Sequence, residues 1–290
     1  MKILVCMKQV PQGTKLDIDP ETGALKRQSG AVRTNPYDLF ALETALTLRD
    51  HYGGTVTVLT MGPDQAESMM KDAFACGADD AVILSDRRFA GADVLATSYA
   101  LMQAVKVIGL PDLIICGRQT TDGDTAQVGP ALAEHLGIPH AAWVREILFT
   151  APEDAGEGTD ELTRREKAAR TRAARRQTAP DKLCVRQDLA SVTLTSELPF
   201  PCLITVDKDT CVPRLPSYRL KKQTADRKVR FLRFHDLPDQ REDHYGLSGS
   251  PTSVVRMFAP PEIERQVYLQ GSAEEKTGAL FRILTGKKYI

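Results

Sequence analysis

Between Cys116 and His140 the chain reads CGRQTTDGDTAQVGPALAEHLGIPH, and its chemistry concentrates there. Gly117, Gly123 and Gly129 permit close backbone approach and dihedrals that other residues avoid. Thr125 brings a hydroxyl, Gln127 an amide, and Arg118 a guanidinium able to grip an oxyanion through two parallel N–H bonds. A helix opening at Gly129 would present N–H groups with no intrahelical partner, a setting that favours a pyrophosphate. Neither GxGxxG nor GxxxxGK[ST] follows a strand anywhere in the chain. The residues therefore define an anion site, with a plain Gly/Asp turn between strand and helix as the alternative. Asp122 and Asp124 invite a metal, but a lone DGD lacks the remaining ligands of a calcium-binding loop, so no metal is expected.

Elements on either side must position this loop. PDLIIC (Pro111–Cys116) reads as a strand that delivers it, and Gly129–Leu136 as the helix that receives it. Upstream, Lys2–Cys6, Thr55–Thr60 and Ala81–Leu84 read as strands. Leu39–His51, Gln65–Ala75 and Asp93–Val107 read as helices, the first after the Asn35-Pro36 turn and with Asp38 as a candidate cap. Strands alternating with helices at this spacing predict an α/β fold, a parallel sheet flanked by helices on both faces. Ligands bind such sheets at the carboxyl ends of the strands. DIDPETGALKR predicts a short hairpin around Glu21–Gly23. Ser191–Thr195 and Cys202–Val206 are later strand candidates, and Glu274–Leu284 a terminal helix. The expected division is a nucleotide-binding α/β domain over 1–228 and an extended C-terminal arm over 229–290.

Bulk properties narrow the classes. With 290 residues and 42% hydrophobic content, the chain can bury a substantial core. Lys+Arg and Asp+Glu are both 38, which argues against a nucleic-acid binder. The charged insertion Pro152–Asp181 holds Arg164, Arg165, Arg170, Arg172, Arg175 and Arg176, yet Glu153, Asp154, Glu157, Asp160 and Glu161 nearly neutralise it and no aromatic is interleaved. Six cysteines without CxxC spacing read as reduced core thiols. No apolar run is long enough for a membrane span or a signal-peptide core, so a cytoplasmic protein is expected.

Taken in order, several blocks carry a specific resemblance: CMKQVP (Cys6–Pro11), NPYDLFALE (Asn35–Glu43), MGP (Met61–Pro63), SDRRFAGADVLATS (Ser85–Ser98), GRQTTDGDTAQVGP, and SPTSVVRMFAPPE (Ser250–Glu262). Together they resemble the beta subunits of electron transfer flavoproteins, the EtfB/FixA family. The resemblance implies an adenine-nucleotide hydrolase-like (Rossmann-like) fold and an alpha subunit that carries an electron-shuttling FAD. Housekeeping members hold AMP in the small subunit. Members of the electron-bifurcating group hold a second FAD there, which takes a hydride from NADH and divides its electrons between two paths. DGDTAQVGP is similar to the bifurcating group, and the small Gly123, Ala126 and Val128 leave room for the larger ligand. A non-redox nucleotide-binding stress-type module would lack NPYDLFALE and the C-terminal arm.

The same resemblance assigns roles. Val5, Cys6 and Lys8 would face the adenosine, with Asn35 and Met61 lining the crevice and Asp93 and Thr97 reaching the ribose or phosphates. Cys116, Gly117, Arg118 and the run Asp122, Gly123, Asp124, Thr125, Ala126, Gln127, Val128 and Gly129 would wrap the phosphates and ribityl chain. Each has a plainer alternative: Cys6 and Met61 as core, Lys8 as a solvated charge, Asn35 as a turn residue, Asp93 as an N-cap, Thr97 as a helix hydroxyl. No catalytic residue is expected, because hydride transfer to a flavin needs no protein base. VPRLPSYRLKK (Val212–Lys222) stands where the family anchors on a dehydrogenase, with Leu215 as the apolar anchor and Arg214 and Arg219 at its rim. The implied partners are the alpha subunit, an acyl-CoA dehydrogenase-type flavoenzyme, and ferredoxin or flavodoxin.

Overall fold

Ile3, Leu4 and Val5 side by side are apolar toward both faces of a strand, and only a sheet covered by helices on both sides can dry them. The computed structural model builds that sheet. It describes residues 1–12, 31–148, 180–189, 191–255 and 268–290. In chain order its strands are β1 (Lys2–Cys6), β2 (Gln9–Pro11), β3 (Val32–Thr34), β4 (Thr55–Met61), β5 (Asp80–Leu84), β6 (Leu113–Gly117), β7 (His140–Leu148), β8 (Lys182–Leu189), β9 (Val192–Pro199), β10 (Cys202–Val206) and β11 (Arg230–Leu232). The α-helices are α1 (Pro36–Tyr52), α2 (Glu67–Cys76), α3 (Val94–Ile108), α4 (Val128–Leu136), α5 (Tyr218–Gln223) and α6 (Ala273–Gly286).

Nine strands form one sheet in the order β11-β5-β4-β1-β6-β10-β7-β8-β9. All pairings from β11 to β7 are parallel, while β8 and β9 run antiparallel beyond them. The fold class is as expected, but the sheet is mixed at one edge. Helices α1 and α2 cover one face, burying Leu46, Met70 and Phe74 against Val5 and Ile115. Helices α3 and α4 cover the other, where Leu101, Met102 and Leu132 meet Leu4 and Ile114. Each such side chain contributes about 1.5–3 kcal/mol on burial. After β1 the chain crosses to β4, but after β5 it crosses back to β6 on the far side of β1. The order therefore reverses between β1 and β6, the point at which open α/β sheets form a crevice at the carboxyl ends of their strands.

Four differences from the sequence reading have local causes. Asp38 does not cap α1. The helix begins at Pro36, where a missing N–H costs nothing, so Asn35 takes the cap position and Asp38 lies inside the first turn. Strand β7 escaped the periodicity reading because register shifts interrupt its pairing with both β10 and β8. Strand β8 does alternate, with Leu183, Val185 and Gln187 buried, but it directly follows the charged run. Strand β11 is only three residues, RFL, paired with β5 inside the stretch read as an arm. The first compact unit extends to Val254, past the expected division at 229. The second unit, from Val255 onward, contains α6, which begins with a reciprocal capping box between Ser272 and Glu275. The hairpin expected at Glu21–Gly23 and nearly all of the 152–181 insertion lie outside the described residues. No helix among the described residues is long and apolar enough to cross a membrane.

Candidate functional site

The crevice is built on a buried carboxylate. Asp38 is 4% exposed. Its Oδ2 accepts the Lys8 N–H at 2.7 Å and its Oδ1 accepts the Asn35 amide at 2.9 Å. The Gly117 N–H is a further donor. Burial pushes the Asp38 carboxyl from 3.8 up to about 7, against the pull of these hydrogen bonds and of the Lys8 charge. Asn35, fully buried, extends the network: its Nδ2 also reaches the Gln119 carbonyl at 2.9 Å, and its Oδ1 accepts the Thr121 N–H at 3.3 Å. The ends of β1 and β6, the start of α1 and the start of the loop are thereby tied at one point.

From Gly117 the loop runs outward. Thr120 holds its turn, accepting the Gly123 N–H on its hydroxyl and the Asp124 N–H on its carbonyl. Asp124 and Ala126 occupy left-handed backbone, at φ 52° and 56°. The Lys8 ammonium bridges to Asp122 at 2.6 Å. Partial burial alone would raise the Asp122 carboxyl, but hydrogen bonds from Lys8 and Thr120 hold it below its ordinary value. The loop then enters α4 with Gln127 at the cap position, and no side chain caps the helix. Its first N–H groups remain open to an anion. A β-carbon on Gly129 would lie 2.5 Å from the Thr205 methyl, so only glycine lets α4 sit this close on β10.

The remaining candidates separate. Cys6 and Cys116 stand in register at the carboxyl ends of adjacent strands. The hydrogen bond that its S–H donates to Cys6, together with burial, pushes the Cys116 thiol far up. Val5 is fully buried in the sheet and Met61 packs half-buried on the α3 side. Asp93 caps α3 through the Ala96 N–H, and its other oxygen accepts the N–H and the hydroxyl of Thr252, at 3.1 and 2.8 Å. It is thus engaged with the chain that leads to the C-terminal unit. Thr97 lies half-buried in the next turn. Arg118 turns to Asp207 at 2.7 Å and lies over the Trp143 ring, 4.2 Å from its centroid. Thr125 and Gln127 are exposed on the loop.

The sequence reading did not single out Asp38 as a site residue, nor Trp143, Thr205 and Asp207. Asp38 had a legible signal, an acid in the first turn behind Asn35-Pro36. Thr205 lies near the end of a recognised strand and Asp207 directly follows it, so their place at its carboxyl end was legible. Trp143 had none, because β7 itself was not recognised.

On the opposite side of α1, Arg214 forms a bidentate pair with the buried Glu43, at 2.7 and 2.9 Å, and donates its own N–H to the same carboxylate. The Ser217 N–H donates to the Ala75 carbonyl at 2.8 Å. Between these two fixings Leu215 projects 87% exposed. Arg214 is thus an anchor of the loop, Leu215 its free tip, and Arg219 lies exposed on α5.

The fold defines an α/β protein of Rossmann-like type, its mostly parallel sheet reversing order between β1 and β6. An electron transfer flavoprotein domain model matches residues 22–231. The chain is 39% identical over 284 residues to protein FixA of Bradyrhizobium diazoefficiens, covering 97% of this chain and 90% of that one. It is 39% identical over 271 residues to the electron transfer flavoprotein subunit beta of Megasphaera elsdenii, covering 90% and 88%. It is 37% identical over 297 residues to the acryloyl-CoA reductase electron transfer subunit gamma of Anaerotignum propionicum, covering both chains fully. The chain belongs to the electron transfer flavoprotein beta-subunit (FixA) family, a flavin-associated family of electron carriers whose beta subunits pair with an alpha subunit.

Proposed function

We propose that this chain is the small subunit of an electron-bifurcating flavoprotein and holds FAD in the β1/β6 crevice. The observation that carries the reading is the shape of the loop. A β-carbon on Gly123 would meet nothing nearer than the Thr120 hydroxyl at 3.7 Å, and Asp124 and Ala126 turn through left-handed backbone, so the loop stands open in front of an uncapped helix. The open start of α4 would take the pyrophosphate, and Lys8, Asn35 and Asp38 would hold the loop around the adenosine. FAD, when bound, supplies hydride acceptance from NADH and delivery of electrons to ferredoxin or flavodoxin and, through the alpha-subunit FAD, to an acyl-CoA dehydrogenase-type partner. The name of the Anaerotignum relative supports an enoyl-CoA-type partner reaction. Leu280, Phe281 and Ile283 stay exposed on α6, which supports a C-terminal arm that packs on the alpha subunit. All six cysteines are free thiols, which supports a cytoplasmic location.

The deciding experiment is to purify the heterodimer, denature it and identify the released nucleotides. Two FAD per heterodimer are expected, together with bleaching by NADH. One FAD plus one AMP would mean the housekeeping form, and no flavin would remove both redox readings.

The Leu215 loop gives a separable prediction. Leu215→Ala is expected to change stability by less than about 0.5 kcal/mol, because its side chain is in water. It should still slow electron delivery to the partner dehydrogenase about tenfold or more, as loss of a central apolar anchor does. Arg214→Ala leaves Glu43 buried without its bidentate partner and should cost on the order of 3 kcal/mol. Urea denaturation and partner turnover measure the two effects. Equal behaviour of the two variants would contradict these roles.

A further inference from the structure

Trp143 is the one tryptophan of the chain. It occupies left-handed backbone, at φ 59°. A bulky residue is rarely found there, and such strain gathers at functional positions. The strand ladder slips on both sides of it, between Ile204 and Val206 toward β10 and between Val144 and Glu146 toward β8. Irregularities of this kind re-aim side chains beside active sites. Two contacts hold the conformation. The Trp143 N–H donates to the Thr205 hydroxyl at 3.0 Å, and the Arg118 guanidinium lies over the indole, held by its ion pair with Asp207 at 2.7 Å. The methyl of the same Thr205 is the group against which Gly129 seats α4. One side chain therefore sets both the helix start and the position of the indole.

Simple packing does not call for this arrangement. Trp143 stays only half-buried. The Arg118 Nε is buried without a hydrogen-bond partner, a cost that a purely structural ion pair would avoid. What the arrangement provides is a rigid planar surface, indole backed by guanidinium, level with the carboxyl ends of β6 and β10 and beside the nucleotide loop.

We propose that the Arg118–Trp143 pair is the wall on which the second ring system of the bound nucleotide stacks, so that it selects a flavin dinucleotide over AMP. The proposal rests on the FAD reading above. An electron-rich indole and an electron-poor isoalloxazine are complementary in an offset stack, and a fixed cation stabilises a ring that gains negative charge on reduction. AMP has no group that would reach the wall.

The test compares the heterodimer carrying wild-type chain, Trp143→Phe or Trp143→Gly. Glycine suits the left-handed backbone, so this variant should fold. For each, the released nucleotides are counted and the absorption and fluorescence of the bound flavin recorded before denaturation. Wild type is expected to release two FAD. Trp143→Gly should retain FAD at this site at least tenfold more weakly, with the remaining flavin several-fold more fluorescent once the quenching indole is gone. Trp143→Phe should fall between them. Two FAD with unchanged spectra and retention in Trp143→Gly, or in Trp143→Phe should the glycine variant not fold, would overturn the stacking wall alone. One FAD and one AMP in wild type would overturn the FAD reading and the wall with it.

Discussion

Asp38→Asn is expected to flatten the pH dependence of stability and to weaken nucleotide retention about tenfold. The carboxyl is buried and rises from 3.8 to about 7 in the folded chain. A raised folded value means that the folded state keeps a proton the unfolded chain has released. The associated stability is complete below pH 3.8, is lost as pH rises to about 7, and changes no further above it. Between pH 5 and 8 this amounts to roughly 2 kcal/mol. Asparagine cannot titrate. Its amide also faces N–H donors where two oxygens accepted them, leaving one of the Lys8, Asn35 and Gly117 groups without an acceptor, at about 1–3 kcal/mol. Urea denaturation at the two pH values should show wild type losing roughly 2 kcal/mol more than the variant as pH rises. Parallel losses would refute the assignment. The Lys8 charge acts to lower the Asp38 carboxyl, and the Asp38 charge in turn adds to the upward push on the buried Cys116 thiol.

Gly117→Ala is the second large effect. A β-carbon there would sit 2.4 Å from an Asp38 oxygen and 2.7 Å from the Tyr37 carbonyl carbon. The second of these is backbone in the first turn of α1, so relief requires tilting the helix away from β6. Overpacking of this kind costs about 1–3 kcal/mol. For a domain of this size that corresponds to a thermal midpoint lower by about 2–12 °C. The bond between the Gly117 N–H and Asp38 would be disturbed as well, so nucleotide should be lost together with stability. Gly123→Ala is the control: its β-carbon meets only the Thr120 hydroxyl at 3.7 Å and its φ is not left-handed, so the midpoint should stay within about 2 °C. Scanning calorimetry of both variants decides the matter, and equal midpoints would remove the steric argument.

Much of this protein was legible before any coordinates. Apolar strand runs alternating with helices named the fold class, because only a double-sided parallel sheet dries strands such as KILVC and LIIC. The end of β6 and the beginning of α4 had to lie at the carboxyl edge of the sheet, where such folds place their ligands, since parallel strands direct their carboxyl ends to one side. Strands β7 and β11 were not legible, the one because its ladder slips and the other because three residues carry no period. Asp93 was a ligand candidate by the family resemblance, and its place before a helix gave the plainer reading as an N-cap. Its engagement with Thr252 depends on a contact 159 residues away, which no local pattern records.

The glycine-bearing loop from Gly117 to Gly129 and the family were determined by the sequence alone, since residue type and order suffice to place a turn between strand and helix and to mark the family. Only the tertiary structure decided what each polar group does. It made Asp38 the hub that ties β1, β6 and α1, set Arg118 against Asp207 and Trp143, and engaged Arg214 with Glu43. The physical reason is that a side chain's role follows from which charge, ring or carbonyl lies within about 3–4 Å. That is set by strand order and helix docking, which bring together residues far apart in the chain.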